Sequence, residues 1–191
     1  FGFRGDRRTH HLLLDWLAAE LVDGGWSLKP LHKLILTSAS WRQSSDHPRH
    51  DAYADIDAGN QLWWRAERRR LEAESLWDAM LAAAGELDLS IGGPSFRPTI
   101  AAEALEGLSR KGAAWTASPL DEQNRRSLYI YTQRSLLVPF LTTFDFADTT
   151  LPCAARDVTT VAPQALALLN NALVHRRSRE LDDRILAQET S

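Results

Sequence analysis

The chain has little cysteine, little net charge and no long apolar run. It holds one cysteine among 191 residues, so an intrachain disulfide and a zinc site built from cysteines are both excluded. Its 22 basic and 25 acidic residues nearly cancel, which leaves no overall field to attract nucleic acid. No apolar run approaches the roughly 20 residues of a membrane helix. We therefore expect neither nucleic acid as a partner nor a membrane span.

The first ten residues also lack two features of a complete exported protein. FGFRGDRRTH has no initiator methionine and no apolar signal segment. From this beginning we expect a piece of a longer multidomain protein, in which residues 1–191 form one domain. These residues do not indicate the cellular compartment of the protein.

Apolar spacing predicts a mainly α chain. Leucines at helical spacing precede the Gly24–Gly25 pair, which supplies a helix stop. Ser27 is a candidate N-cap for the next helix, with Pro30 in the first turn, where a missing N–H is tolerated. The predicted helices span about residues 12–23, 28–39, 71–87, 139–144 and from 163 onward.

The remaining segments predict loops and one strand. Polar composition over 44–60 indicates a surface loop, and the glycines and prolines of 90–124 indicate a long irregular connection. Residues 127–132 have the β-branched and aromatic composition of a short buried strand. The fold expected is an irregular helical bundle with a short strand or hairpin and long loops.

Three polar clusters interrupt the apolar pattern and are predicted to meet in the fold. They span residues 25–45, 124–135 and 153–171. The first delivers Trp41, Arg42 and Gln43 where an apolar helix face ends. The residues predicted to bind a ligand or partner come from these clusters and the loops beside them: Arg42, Gln43, Arg125, Arg126, Asp145, Arg156 and Trp115.

The arginines admit two interpretations. Guanidinium groups such as those of Arg65 and Arg68 to Arg70 could hold a phosphate or carboxylate ligand, but nearby glutamates favour ion pairing within the chain. Five arginines lie beside apolar positions and are predicted to be largely buried, with Glu72, Glu74, Asp145 or Asp157 as partners. They are Arg42, Arg69, Arg125, Arg126 and Arg156.

The candidate carboxylates, histidines and cysteine can each be explained by a structural role as well as by a functional one. Asp145 and Asp148 could form a carboxylate pair acting on a glycosidic bond, although turn formation and arginine pairing are favoured. His47 and His50 with neighbouring aspartates could bind a metal, but a solvated loop is favoured and no metal is expected. Cys153 is predicted to be structural. No catalytic residue can be assigned.

Seven tryptophans could fill a core or form a stacking platform for sugars. Trp16 and Trp77 have the spacing of core residues, whereas Trp41, Trp63 and Trp64 lie in or beside polar segments. The 90–124 loop is expected to border the functional surface. Its Trp115 would then either stack on a sugar or neighbouring domain, or fold back into the core.

Five motifs in combination give the chain a family resemblance. They are SWRQSS at 40–45, RRRLEAE at 68–74, GGPS at 92–95, NRRSLYIY at 124–131 and TTVAPQALALLN at 159–170. With these motifs the chain resembles the planctomycete PSD-one domain, a domain of unknown function. The first helix departs from the family pattern, with HHLLLDWL in place of HPELLDWL, and Trp41 stands where the family usually has tyrosine.

The resemblance implies a place in a larger protein. PSD-one domains usually form the C-terminal part of large planctomycete proteins that also carry a cytochrome c-like domain, which implies an exported or periplasmic location. No CxxCH motif occurs here, so no cofactor is expected in this chain and haem would belong to another domain. The hypothesis is a noncatalytic binding or interface module whose partners are other domains of the same polypeptide, with polysaccharide as a further candidate. The alternative is a glycan-directed enzyme that uses Asp145 or Asp148 in an arginine-rich site.

Overall fold

The computed structural model describes residues 8–105, 115–150, 153 and 156–189 of the chain. The chain divides into two compact units, an N-terminal unit of Phe1–Arg69 and a C-terminal unit of Arg70–Ser191. The described part is mainly α-helical, which confirms the predicted fold class. No helix in it is both long and apolar enough to cross a bilayer.

The N-terminal unit contains four helices: α1 (His11–Asp23), α2 (Leu28–Thr37), α3 (Ala39–Arg42) and α4 (His50–Ile56). The turn between α1 and α2 holds Gly25 and Trp26 at φ values of 66° and 62°. Its amides donate back to the carbonyls of Val22 and Leu21, which satisfies the end of α1. The predicted helix stop at Gly24–Gly25 is therefore confirmed.

Two boundaries in this unit differ from the prediction. The second helix ends at Thr37 because Ser38 is extended, and its hydroxyl accepts a hydrogen bond from the Trp41 amide to begin α3. The predicted 44–60 loop contains α4, whose first turn carries Asp51, a favourable charge at a helix N-terminus. Polar composition alone did not distinguish a short exposed helix from a loop.

No hydrophobic side chain described between residues 8 and 69 is fully buried. Of the residues described between 8 and 69, only Asn60 is buried, and α1 to α4 contain no buried residue. Trp16 was predicted to lie in a core, but 46% of its surface is exposed. An apolar surface this accessible is typical of a segment that packs against a partner.

The C-terminal unit is built around α5 (Ala73–Ala84), α6 (Pro139–Thr143), α7 (Ala162–Asn170) and α8 (Ala172–Glu189). Trp77 and Leu81 of α5 are buried against a cluster that includes Phe96, Phe140 and Phe144. The rings of Trp77 and Phe140 meet edge to face with centroids 5.9 Å apart. The core position predicted for Trp77 is confirmed. The single helix predicted from residue 163 onward is divided at Asn171 into α7 and α8.

The strand predicted at 127–132 is replaced by a 3₁₀ helix, Ser127–Tyr129, followed by an isolated bridge between Phe96 and Ile130. The Ser127 amide donates to the Asp78 carboxylate at 2.6 Å, and its hydroxyl donates to the Glu74 carbonyl. The bond to Asp78 takes up the backbone amide that a strand ladder would use, and the bond to Glu74 ties the same residue to α5. In the described residues, the backbone pairs only as isolated bridges. Within the irregular 90–124 connection, a 3₁₀ helix spans Ala102–Leu105, and residues 106–114 lie outside the described part.

Candidate functional site

The N-terminal unit contains an open cleft of about 830 Å³, lined mainly by apolar side chains. Helix α1 contributes Leu13, Trp16 and Leu17, and α2 contributes Leu34 and Ile35. The segment after these helices adds Trp41, Gln43, Asn60, Trp63, Arg65 and Arg69. We call this surface the tryptophan cleft, after its three indole rings.

Trp63 is held in an uncommon backbone conformation at the edge of the tryptophan cleft. Its φ is 55°, a left-handed value that is unfavourable for a bulky residue. The Gln43 side-chain amide donates to the Trp63 carbonyl at 2.7 Å, and the His10 ring stacks on the indole with centroids 4.1 Å apart. Backbone strain of this kind concentrates at functional positions. Gln43, a predicted binding residue, therefore supports the cleft wall.

Most polar side chains of the cleft already bond to the backbone of the same unit. The Ser38 hydroxyl donates to the Ile35 carbonyl at 2.7 Å. The buried Asn60 donates to the Arg65 carbonyl at 2.9 Å and accepts from the Arg65 amide at 3.3 Å. These bonds fix the cleft shape and leave an apolar surface available to a ligand.

The charged groups of the cleft are Arg65, Glu67 and Arg69. Arg69 pairs with Glu67 at 3.1 Å, but both side chains are well exposed, so this ion pair stabilises the unit little. The Arg65 guanidinium lies over the Trp64 ring, 5.1 Å from its centroid. Its Nε is buried without a hydrogen-bond partner, and no described carboxylate lies within ion-pair distance of it.

Arg42 and Arg69 differ from the prediction that they are buried and paired with distant carboxylates. Arg42 is exposed on α3 and makes no ion pair with a described residue. Arg69 is exposed and uses Glu67, two residues away. Both lie in short exposed segments, and no hydrophobic residue described between 8 and 69 is buried beside them.

Asp145 is the centre of a polar network in the C-terminal unit. It adopts a left-handed φ of 61°, which aspartate tolerates better than most residues. Its carboxylate accepts the Thr159 amide at 2.7 Å, the Thr159 hydroxyl at 2.9 Å and the Arg70 guanidinium at 2.7 Å. The buried Gln164 amide in turn donates to that hydroxyl at 3.1 Å. The network joins the start of α5, the end of α6 and the start of α7.

This network holds the pKa of Asp145 below its ordinary value. The backbone amide of Thr159 is the main cause, and the Thr159 hydroxyl and Arg70 guanidinium add to it against the opposing effect of burial. A carboxylate of this kind stays ionised and saturated with donors. It is poorly suited to act as a general acid.

We expect Asp145→Asn to lower the melting temperature at pH 7, because asparagine keeps the left-handed conformation but loses the charge. A carboxylate with a lowered folded pKa stabilises the fold above its unfolded pKa, and that contribution is lost as pH falls through the folded value. The difference in melting temperature between parent and variant should be full above about pH 5 and shrink below about pH 4. Scanning calorimetry at several pH values measures it. Asp182→Asn, at an exposed position on α8, is the control, and a difference that does not change with pH would contradict the assignment.

Arg156 pairs with the carboxylates of α5, as predicted. Its guanidinium lies 2.7 Å from Glu74 and 3.6 Å from Glu72. Burial acts to raise the pKa of Glu74, but the Arg156 hydrogen bond, the Glu74 backbone and the Arg156 charge together lower it. The hydrogen bond that Arg156 donates to Glu74 in turn raises the pKa of Arg156. Arg156 thus anchors the segment before α7 to the start of α5.

Arg125 uses carbonyl groups instead of the predicted carboxylates. It is partly buried, donates to the carbonyls of Gly92 and Pro94, and lies 3.9 Å from the Tyr129 ring centroid. The Gly92 amide donates to the Tyr129 hydroxyl at 2.8 Å. The GGPS motif therefore bends around Arg125, with Gly92 at a φ of 86°.

Arg126 is more exposed than predicted. Its side chain is 44% accessible, and its nearest described carboxylate is Asp78 at 3.9 Å, which was absent from the predicted partners. The second polar cluster therefore meets α5 through Ser127 and, more weakly, Arg126. The third cluster meets the same helix through Arg156.

The remaining candidates have structural surroundings. Trp115 is 7% exposed and its indole N–H donates to the Pro98 carbonyl at 2.8 Å, which places the ring in the core, one of its two predicted positions. Asp148 accepts the Thr150 amide and hydroxyl, and the hydroxyl is the first cause of a lowered pKa. Cys153, predicted to be structural, is exposed. Asp148 thus forms a local turn, whereas Asp145 bonds to groups that are distant in sequence.

The histidines of the predicted 44–60 loop pack against an aromatic ring. His47 and His50 both lie edge-on to Trp64, with centroids 6.0 and 5.3 Å away. No group of three or more His, Cys, Asp or Glu side chains in the described part of the chain is arranged to hold a metal ion.

Sequence reasoning missed two contributors to these sites. Arg70 was grouped with its arginine neighbours, but its partner Asp145 lies 75 positions away, and local sequence carries no signal for that pairing. Trp16 was assigned to a core. A signal was present, because the leucines of HLLLDWL cover more of α1 than one buried face requires.

Comparison with known proteins agrees with the motif resemblance. The family model PSD1, described as a protein of unknown function (DUF1553), matches residues 1–191. Neither the curated proteins nor the solved structures contain a significant match. The chain therefore belongs to the PSD1 family.

Proposed function

We propose that this member of the PSD1 family is a noncatalytic binding or interface module of a larger, exported cytochrome c-type protein. The observation that carries the proposal is the N-terminal unit, whose described helices bury no hydrophobic side chain while their apolar residues line the tryptophan cleft. Burying exposed apolar surface is the main favourable term in protein association. Other domains of the same polypeptide are the proposed partners.

The carboxylates favour this proposal over a glycan-directed enzyme. A general acid at neutral pH needs a raised pKa, whereas the pKa values of Asp145 and Asp148 are both lowered by the hydrogen bonds that their carboxylates accept. The tryptophan cleft contributes one carboxylate, Glu67, which is exposed and paired with Arg69. The enzyme remains the alternative proposal, and hydrolysis of a defined oligosaccharide by the purified chain would support it.

Export and association with a cytochrome domain rest on the family resemblance. This chain contains no CxxCH motif, so the haem of the larger protein would be held by another domain. Polysaccharide is a second candidate ligand because the rings of Trp16, Trp41 and Trp63 are 46%, 62% and 44% exposed. Exposed indole rings can stack on the apolar faces of sugars.

Hydrogen exchange tests the proposed interface. We expect amides of α1 and α2 to exchange faster in the isolated chain than in the larger polypeptide, because the partner domains would cover the tryptophan cleft. The core of α5 should exchange slowly in both. Equal protection of α1 and α2 in the two proteins would contradict the proposal.

Truncating a cleft tryptophan should weaken association with the partner domains. Trp41→Ala removes a 62% exposed ring, so it should cost the fold little but reduce affinity by about 1 to 3 kcal/mol. Isothermal titration of the chain with the separately produced partner domains measures this loss. Trp26→Ala, at a tryptophan that is also mostly exposed (72%) but lies outside the cleft, is the matched control. A glycan array with the parent and both variants tests polysaccharide, and equal affinity of the two variants would argue against the cleft.

A further inference from the structure

We infer that the tryptophan cleft takes an amphipathic helix whose apolar face is flanked by an acidic residue. The inference rests on the proposed function and specifies the chemistry of the partner. Three observations carry it: the composition of the cleft walls, the internal use of its polar groups, and the environment of Arg65.

The cleft walls match the apolar face of a helix. Two helices, α1 and α2, supply leucine and isoleucine side chains to one side, and Trp41 and Trp63 add broad apolar faces. The α1 residues that line the cleft, Leu13, Trp16 and Leu17, lie within little more than one helical turn, so the cleft would receive a short apolar stretch of the partner helix. Helices recognised in grooves present apolar anchors at i, i+3, i+4 and i+7.

The polar groups of the cleft argue against sugar as the preferred ligand. Sugar binding needs donors and acceptors aimed at hydroxyl groups, in addition to a stacking ring. Here the Ser38 hydroxyl, the Gln43 amide and both ends of the Asn60 amide bond to backbone groups of the same unit. A helix needs no such donors, because its own backbone is already satisfied.

Arg65 sets the charge of the partner. The neighbouring Arg69 is compensated by Glu67, whereas Arg65 lies without a described carboxylate within ion-pair distance and its Nε is buried and unbonded. A carboxylate is the acceptor that fits a guanidinium best. An acidic residue at the edge of the partner helix would supply the countercharge that the Arg65 guanidinium lacks among the described residues.

Three 14-residue helical peptides test the inference, with binding to the 191-residue chain followed by fluorescence anisotropy. The peptides share one leucine face; one carries glutamate beside it, one lysine, and the third has glutamate but serine in place of the leucines. We expect the glutamate peptide to bind at least about tenfold more tightly than the lysine peptide, and the serine peptide to lose binding. Similar binding of the glutamate and lysine peptides, or retained binding of the serine peptide, would overturn the inference.

Charge reversal at Arg65 provides the second arm. Arg65→Glu should invert the preference between the glutamate and lysine peptides, and Arg134→Glu, at an exposed position of the C-terminal unit, should leave it unchanged. Circular dichroism of each variant verifies its fold, and Arg65→Gln, which should abolish the preference, replaces any variant that unfolds. If both Arg65 variants still prefer the glutamate peptide to the lysine peptide, the inference is wrong.

The two proposals can fail separately. If no peptide binds but α1 and α2 become protected from exchange in the larger polypeptide, the proposed interface is supported and the inference of an acidic partner helix is wrong. Displacement of the glutamate peptide by cello- or chito-oligosaccharides at lower concentration than unlabelled peptide would instead assign the cleft to sugar, and would also overturn the helix.

Discussion

Replacing Trp115 with alanine is expected to destabilise the chain by about 3 to 5 kcal/mol, the range for a large aromatic removed from a core. The ring is 7% exposed, belongs to the core of the C-terminal unit and donates a hydrogen bond to the Pro98 carbonyl. Its loss leaves a cavity and an unpaired carbonyl group. Urea unfolding followed by far-UV circular dichroism measures the loss without depending on tryptophan emission.

Two variants make this result specific. Trp115→Phe keeps most of the packing but loses the hydrogen bond, so it should fall between the parent and the alanine variant. Trp26→Ala removes a ring that is 72% exposed and should change stability by less than about 0.5 kcal/mol. A Trp115→Ala chain that is as stable as the parent but loses partner binding would show that Trp115 is a binding residue and contributes little to the core.

Arg177→Ala should cost about 3 kcal/mol, the lower end of the range for breaking a buried charge pair. The Arg177 side chain is 3% exposed and donates to the Glu180 carboxylate and to the Asn124 amide oxygen, both at 2.7 Å. Glu180 is 28% exposed, so water can solvate its carboxylate in part when the arginine is removed, which keeps the cost at this lower end. The bond to Asn124 ties α8 to the second polar cluster, and this tie would also be lost.

The exposed Arg179 on the same helix is the matched control for this substitution. Arg179→Ala changes the net charge and helix propensity of α8 in the same way but removes no buried bond, so its effect should stay near zero. Thermal unfolding of both variants compares them directly. Equal melting temperatures would show that burial of Arg177 contributes nothing to the fold.

The predictable parts of this fold depend on residues close together in sequence. Leucine spacing predicted α1, the start of α2 and α5, and the Gly24–Gly25 pair predicted where α1 ends. Helix formation and capping involve contacts within about four residues, so a short window contains the necessary information. The same applies to Trp77, whose spacing on α5 placed it in the core.

The errors concern residues whose environment comes from distant parts of the chain. Residues 127–132 have strand composition, but bonds from Ser127 to α5, about 50 positions away, favour a 3₁₀ turn. Trp16 has core spacing, yet no described element of its unit covers it. Burial of Arg177 and exposure of Arg42 were not indicated by their immediate neighbours for the same reason.

By itself, the sequence determined the helical class, the positions of the long helices and, through five motifs, membership of the PSD1 family. Only the tertiary structure decided which charges pair and which apolar surface stays open. Asp145 takes Arg70 as its partner across 75 positions, and the apolar residues of α1 and α2 line a cleft instead of a core. Helical periodicity identifies the apolar face of a helix, because that pattern repeats within a few residues. Which element covers that face depends on packing between distant parts of the chain.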